Sequence, residues 1–148
     1  MPSTTVDTII NDDRIGAQRA VEHLVGLGHR EIWHIDGGSG AGAFERRDGY
    51  EDAMLRTGLT PRIEPAEFTE VAGAAATQRI LASDAPCTAI FAGNDLSALG
   101  ALDVIDGAGL EVPGDVSLIG YDNTSVAALR HIDLTSVDQG RERLRRDP

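Results

Sequence analysis

Residues 88–107 read TAIFAGNDLSALGALDVIDG, and their pattern decides the fold. Thr88-Ala89-Ile90-Phe91 is a short apolar run of the kind that forms a buried strand. Gly93, Asn94 and Asp95 follow at once, residue types that turn and cap. Ala98, Leu99, Leu102 and Ile105 then recur at helical spacing, with Asn94 or Asp95 as N-cap and Gly107 as the stop. A strand that feeds a helix through a polar cluster is half of a strand–helix–strand unit.

The same unit repeats on both sides. Residues 6–10, Ile32–Ile35, 116–120 and 134–137 are further strands, and 63–68 is a strand interrupted by Pro65. Ile15, Ala20, Val21, Leu24 and Val25 mark a helix opened by Asp12 or Asp13 and closed by Gly28. Residues 46–57, ended by Gly58, and 74–81 are two more, and 124–129 a short fifth. Near-continuous apolar strands alternating with helices imply an α/β fold: an open, mostly parallel sheet with helices on both faces.

The chain's 148 residues suffice for one such layered unit, and 41% apolar content is ordinary for one. No apolar run approaches the ~20 residues a spanning helix needs. Residues 1–7 carry no secretory pattern. The lone Cys87 cannot close an internal disulfide, which suits the reducing cytoplasm. Net charge is −11, with thirteen arginines and no lysine, so the chain is poorly suited to gripping phosphate backbones. Residues 141–148 hold four of those arginines and read as the start of a solvated helix rather than a nucleic-acid contact.

Every apolar run ends in polar residues: Asn11-Asp12-Asp13, Asp36-Gly37-Gly38, Gly93-Asn94-Asp95 and Gly120-Tyr121-Asp122-Asn123. These clusters share the carboxyl edge of one sheet, where open parallel sheets bind ligands. Asp12 or Asp13 and Asp95 read best as helix N-caps. Asn94 and Asp122, each ending a strand beside a glycine, are candidate ligand contacts. Carboxylates and amides suit neutral polyols, and a guanidinium adds directed donors. Phe68 offers an apolar face to a sugar, with a place in the core as the competing role.

Other chemistries fit less well. Gly38-Ser39-Gly40-Ala41-Gly42-Ala43 matches the small-residue form of a dinucleotide fingerprint, but Phe44 to Arg47 stand between it and a clear helical pattern. Gly37 to Ala41 with His131 downstream makes an incomplete nucleophile elbow. Clustered aspartates without a lysine argue against a magnesium phosphotransfer site. His23, His29, His34 and His131 lack metal-ligand spacing with Cys87, and His23 and His29 read as caps or packing near the first helix. No catalytic residue, metal or cofactor is expected.

The chain resembles the lactose-repressor/galactose-repressor (LacI/GalR) regulators over nearly its whole length. The resemblance rests on Ala20-Val21-Glu22-His23-Leu24, Leu27-Gly28-His29-Arg30, Arg46-Arg47-Asp48-Gly49-Tyr50, Ala89 to Asp95, Ala98 to Ala101, Val112 to Asn123 and Leu134 to Gln139. It implies one lobe of a periplasmic-binding-protein-like type I fold: residues 12–138 as the C-terminal lobe, 1–11 as a strand and hinge stub of the other lobe, and 139–148 as hinge and basic tail. It further implies that Arg46, Phe68, Asn94, Asp122 and Gln139 contact a small effector, a carbohydrate by class, and that Leu99, Leu129 and Arg130 lie on a homodimer surface. Operator DNA would be bound through a helix-turn-helix headpiece outside this chain. The alternatives are a transport-associated sugar-binding protein on the same fold and a nucleotide-dependent α/β enzyme. The sequence departs from the family at His131-Ile132-Asp133, where a proline-rich lead is usual.

Overall fold

All four residues of Ile32–Ile35 (β1) and of Ala89–Ala92 (β3) are buried, as strands covered on both faces must be. The computed structural model describes residues 5–121, 135–138 and 143–146. Its other elements are α1 (Thr5–Gly26), α2 (Ala43–Arg56), β2 (Arg62–Glu64), α3 (Glu70–Ala82), α4 (Asp95–Gly107), β4 (Ser117–Tyr121), β5 (Thr135–Asp138) and β6 (Arg143–Arg146). The sheet order is β2-β1-β3-β4-β5-β6, with β2 to β5 in parallel register and β6 antiparallel to β5. The expected α/β class and mostly parallel sheet are therefore observed.

Side chains alternate across each strand, so the core is split in two. Ile32, Phe91, Ile119 and Tyr121 face α1 and α2, against Ala17, Val21, Leu24, Tyr50 and Met54. Trp33, Ile35, Ile90, Ala92 and Leu118 face α3 and α4, against Ala76, Ile80, Ala98, Ala101 and Ile105. Each large apolar side chain buried this way contributes about 1.5–3 kcal/mol. Tyr50 also fastens α2 to the sheet, its hydroxyl donating to Ile32 O at 2.6 Å and accepting from Arg62 N at 2.9 Å. At the opposite end of the strands from the polar clusters, His29 bridges Thr88 Oγ1 and Ser117 Oγ, each at 2.9 Å, and so stitches together the entries to β3 and β4.

Four expectations need correction. Residues 6–10 are not a strand but the first turns of α1. Val6, Ile9 and Ile10 stand at i, i+3 and i+4, which fits a helix face as well as a short apolar strand. The helix therefore runs through Asp12 and Asp13, and neither opens it. Helix α2 begins at Ala43, three residues before the expected start, with Gly42 at φ 81° as its N-cap. Finally, the basic tail is not the start of a helix: Arg143–Arg146 pairs as β6 along β5. Pro65 ends β2 after Glu64, shortening the interrupted strand. The expected helix over 124–129, with Leu129 and Arg130, lies outside the described residues, as do Asp122, His131 and Gln139.

Candidate functional site

Strand β1 connects through α2 to β2 on one side, and β3 connects through α4 to β4 on the other, on the opposite face of the sheet. The order reverses between β1 and β3, and the crevice beyond their carboxyl ends is where open α/β sheets take ligands. Gly37, Gly93, Asn94, Arg46 and Phe68 gather at that crevice.

Arg46, on the first turns of α2, is only 3% exposed. Its Nη1 donates to Gly93 O at 2.8 Å, and its guanidinium carbon lies 4.1 Å from the centre of the Tyr121 ring and 5.1 Å from that of Phe68. Nη2 stands 3.6 Å from the buried Asp13 carboxylate, whose other oxygen accepts from the Tyr121 hydroxyl at 2.9 Å. Cation–π contact and a carboxylate together offset the cost of burying the guanidinium.

Phe68 takes a middle course between its two expected roles. It is half-buried, and its ring lies against the backbone of the glycine-rich loop. A Cβ at Gly93 would come within 2.7 Å of the ring and one at Gly40 within 2.5 Å, with Gly37 tighter still. Those glycines thus make room for an aromatic side chain. This replaces the expected reason for setting aside a dinucleotide fingerprint: the loop does lead straight into a helix, but its concave face is filled by Phe68. At the mouth, Arg47 donates to Asp36 Oδ1 at 2.7 Å, and the same oxygen accepts from Gly37 N at 2.8 Å.

Asn94, expected among the ligand contacts, spends its side-chain oxygen on Ser97 N at 2.8 Å and caps α4. Its place at the end of β3 still puts it on the crevice wall. Asp95, expected as a cap, is instead the first residue of α4 and fully buried, where a carboxylate is favoured by the helix dipole. Leu99 lies away from the crevice, on a groove of about 860 Å³ between α3 and α4 shared with Val71, Leu102 and Leu110.

Two residues at the centre of the site escaped the sequence reading, Asp13 and Tyr121. Asp13 carried a signal: it shares the inward stripe of α1 with Ala17, Ala20, Val21 and Leu24, and a carboxylate at a core position demands a partner. Among the described residues no cluster of three or more His, Cys, Asp or Glu could hold a metal, and no helix is long and apolar enough to cross a membrane. Burial pushes the Cys87 thiol up to about 11, which makes it a poor nucleophile.

A doubly wound sheet whose switch point carries a buried arginine framed by aromatic rings has the architecture of an α/β ligand-binding lobe. The profile of the periplasmic binding protein-like domain family matches residues 21–147, and the chain belongs to that family, in its LacI-type branch. It is 37% identical, over 145 residues, to the HTH-type transcriptional repressor PurR of Erwinia tasmaniensis, covering 93% of this chain and 42% of that protein. A LacI-family regulator from Corynebacterium glutamicum superimposes with a TM-score of 0.83 at 41% identity, over 87% of this chain and 50% of that one. The regulator CelR in complex with cellobiose does so at 0.78 and 35%, over 90% of this chain and 41% of its own. The chain thus spans half or less of the length of each of these relatives. All three are described as transcription regulators, and the non-enzymatic reading of the sequence stands on that likeness.

Proposed function

We propose that the chain is the effector-sensing lobe of a LacI-type transcription repressor that works in the cytoplasm and responds to a small neutral carbohydrate. The carrying observation is Arg46, held between Phe68 and Tyr121 at the β1/β3 switch point. Charge supports the ligand class. Arg46 is offset by Asp13 and Arg47 by Asp36, so the two cations leave no surplus for an anion. A sugar offers hydroxyls to these paired groups and a C–H face to Phe68. The CelR–cellobiose complex is a relative with such a ligand.

Asn94, Asp122 and Gln139 complete the contact set in this reading, with a second lobe closing over the sugar from the other side. In this reading the chain connects to that second lobe outside α1 and the sheet, through residues 1–4 and 139–142, since 5–11 belong to α1 and 143–146 pair as β6. Ligand-dependent closure would shift operator affinity by no more than its differential affinity for the two states. Operator DNA is bound through a helix-turn-helix part of the parent protein, which the HTH-type relatives carry in their names.

Isothermal titration and amide NMR with D-cellobiose, D-ribose and D-glucuronate test the ligand class. A neutral sugar is expected to bind this lobe with roughly millimolar affinity and to shift the signals of Gly37, Phe68 and Gly93. Silence with all three sugars sinks the carbohydrate reading. Micromolar binding by this chain alone overturns the need for a second lobe.

The same reading assigns a homodimer surface to the α4 helix around Leu99 and to Leu129 and Arg130, which lie outside the described residues. Val71, which lines the Leu99 groove, is 81% exposed. Leu99→Glu is expected to leave the fold intact and raise the dimer dissociation constant at least about tenfold in sedimentation equilibrium, by adding a charge to a groove already lined by Glu70, Asp103, Asp106 and Glu111. An unchanged constant would move the interface elsewhere.

A further inference from the structure

We infer that Asp13 is the positioning residue for the Arg46 guanidinium, fixing which of its donors face the crevice. The inference rests on the reading of Arg46 as an effector contact and concerns a residue outside the proposed contact set. Asp13 lies on α1, Arg46 on α2, Tyr121 at the end of β4 and Gly93 just past β3. One carboxylate joins three of these elements: Oδ1 accepts from the Tyr121 hydroxyl at 2.9 Å, and Oδ2 faces Arg46 Nη2 at 3.6 Å. On its other branch Arg46 is tied by Nη1 to Gly93 O at 2.8 Å.

A guanidinium is a rigid planar fork, so fixing both branches fixes the plane. Nη1 anchored at the sheet edge and Nη2 drawn toward α1 leave one orientation, with the plane between the Phe68 and Tyr121 rings. The local backbone accommodates this arrangement. A Cβ at Gly42 would stand 3.0 Å from Arg46 Nη2 and collide with Asp13 Oδ2. Both charged side chains are 3% exposed, so water does not screen the attraction as it would on the surface. A donor ordered before the ligand arrives spares the ligand the cost of ordering it.

Asp13→Asn keeps the size and an oxygen for Tyr121 but removes the charge. The readout is hydrogen exchange of the Arg46 Nε–H in arginine-labelled chain, assigned by its disappearance in Arg46→Lys. The expected result is exchange about tenfold faster in Asp13→Asn, while the backbone amides of β3 exchange as before. An unchanged side-chain rate in a folded variant overturns the inference, because a residue that merely filled space would leave the guanidinium as it is. Should Asp13→Asn not fold, Tyr121→Phe carries the same test. Freeing the carboxylate from its phenol speeds exchange several-fold, and no change overturns the proposal. The measurement is made without ligand. Failure of every sugar to bind while Asp13 still controls the exchange rate would remove the effector reading and leave the positioning intact.

Discussion

Replacing Arg46 by methionine is expected to destabilise the folded chain by about 3–5 kcal/mol, read from urea unfolding at neutral pH. The volume is nearly kept, so the loss is electrostatic. Arg46 and Asp13 are both buried, and removing the cation strips the carboxylate of its ion pair in a place water does not reach. The substitution also ends the hydrogen bond to Gly93 O and the contacts over Phe68 and Tyr121. Arg47→Met is the control. Arg47 is 28% exposed and pairs with Asp36 at the surface, so its removal is expected to cost about 0–1 kcal/mol. A loss under about 1 kcal/mol for Arg46→Met would mean that the buried carboxylate does not depend on this cation.

The contrast between these two neighbouring arginines shows what the sequence reveals and where it stops. Strands β1, β3 and β4 announce themselves because parallel strands buried on both faces must be continuously apolar, and the glycines that end α1, α2 and α4 mark their helices. Residues 6–10 mislead because Val6, Ile9 and Ile10 stand at helical spacing while so short a β-branched run also reads as a strand, and only its continuation into α1 settles which. The tail misleads for another reason: β6 is an edge strand, and nothing in its four residues apart from the partner β5 dictates pairing.

The site was half legible. Position along the chain puts Phe68 and Asn94 just beyond strand ends and Arg46 on the first turns of the helix that follows β1, because in a parallel sheet every strand delivers its following loop to the same edge. Position does not tell what a side chain does there. Asn94 has both a capping oxygen and a place on the crevice wall, and capping takes the oxygen because an orphaned N–H at the start of α4 is costly inside the protein. The glycine-rich loop resembles a phosphate cradle in sequence, yet its bare backbone accommodates Phe68, a residue some 30 positions away. Contacts of that range follow from the register of the sheet and cannot be read from local pattern.

The same register buries His34 in β1, and this gives the second large expected effect. His34 Nδ1 donates to Phe91 O at 2.9 Å, its ring stacks on Tyr50 and Phe91, and among the described residues Nε2 has no hydrogen-bond partner. Burial is the main cause that lowers its pKa from 6.5 to about 4; Arg47 and Arg46 add to the lowering, while the Phe91 bond and Asp36 oppose it. The unfolded chain therefore takes up a proton near pH 6.5 that the folded chain refuses until about pH 4. Stability from this group is complete above pH 6.5 and drains away as pH falls toward 4, where the loss levels off. Integrated over that window the loss is about 3 kcal/mol. His34→Gln retains a donor for Phe91 O and cannot titrate there. Its urea-unfolding free energy is expected to fall less than that of the unaltered chain between pH 7 and pH 4, by about 3 kcal/mol. Parallel curves for the two proteins would show that His34 is protonated in the folded chain, and that the layer between β1 and α2 admits water as the geometry says it does not.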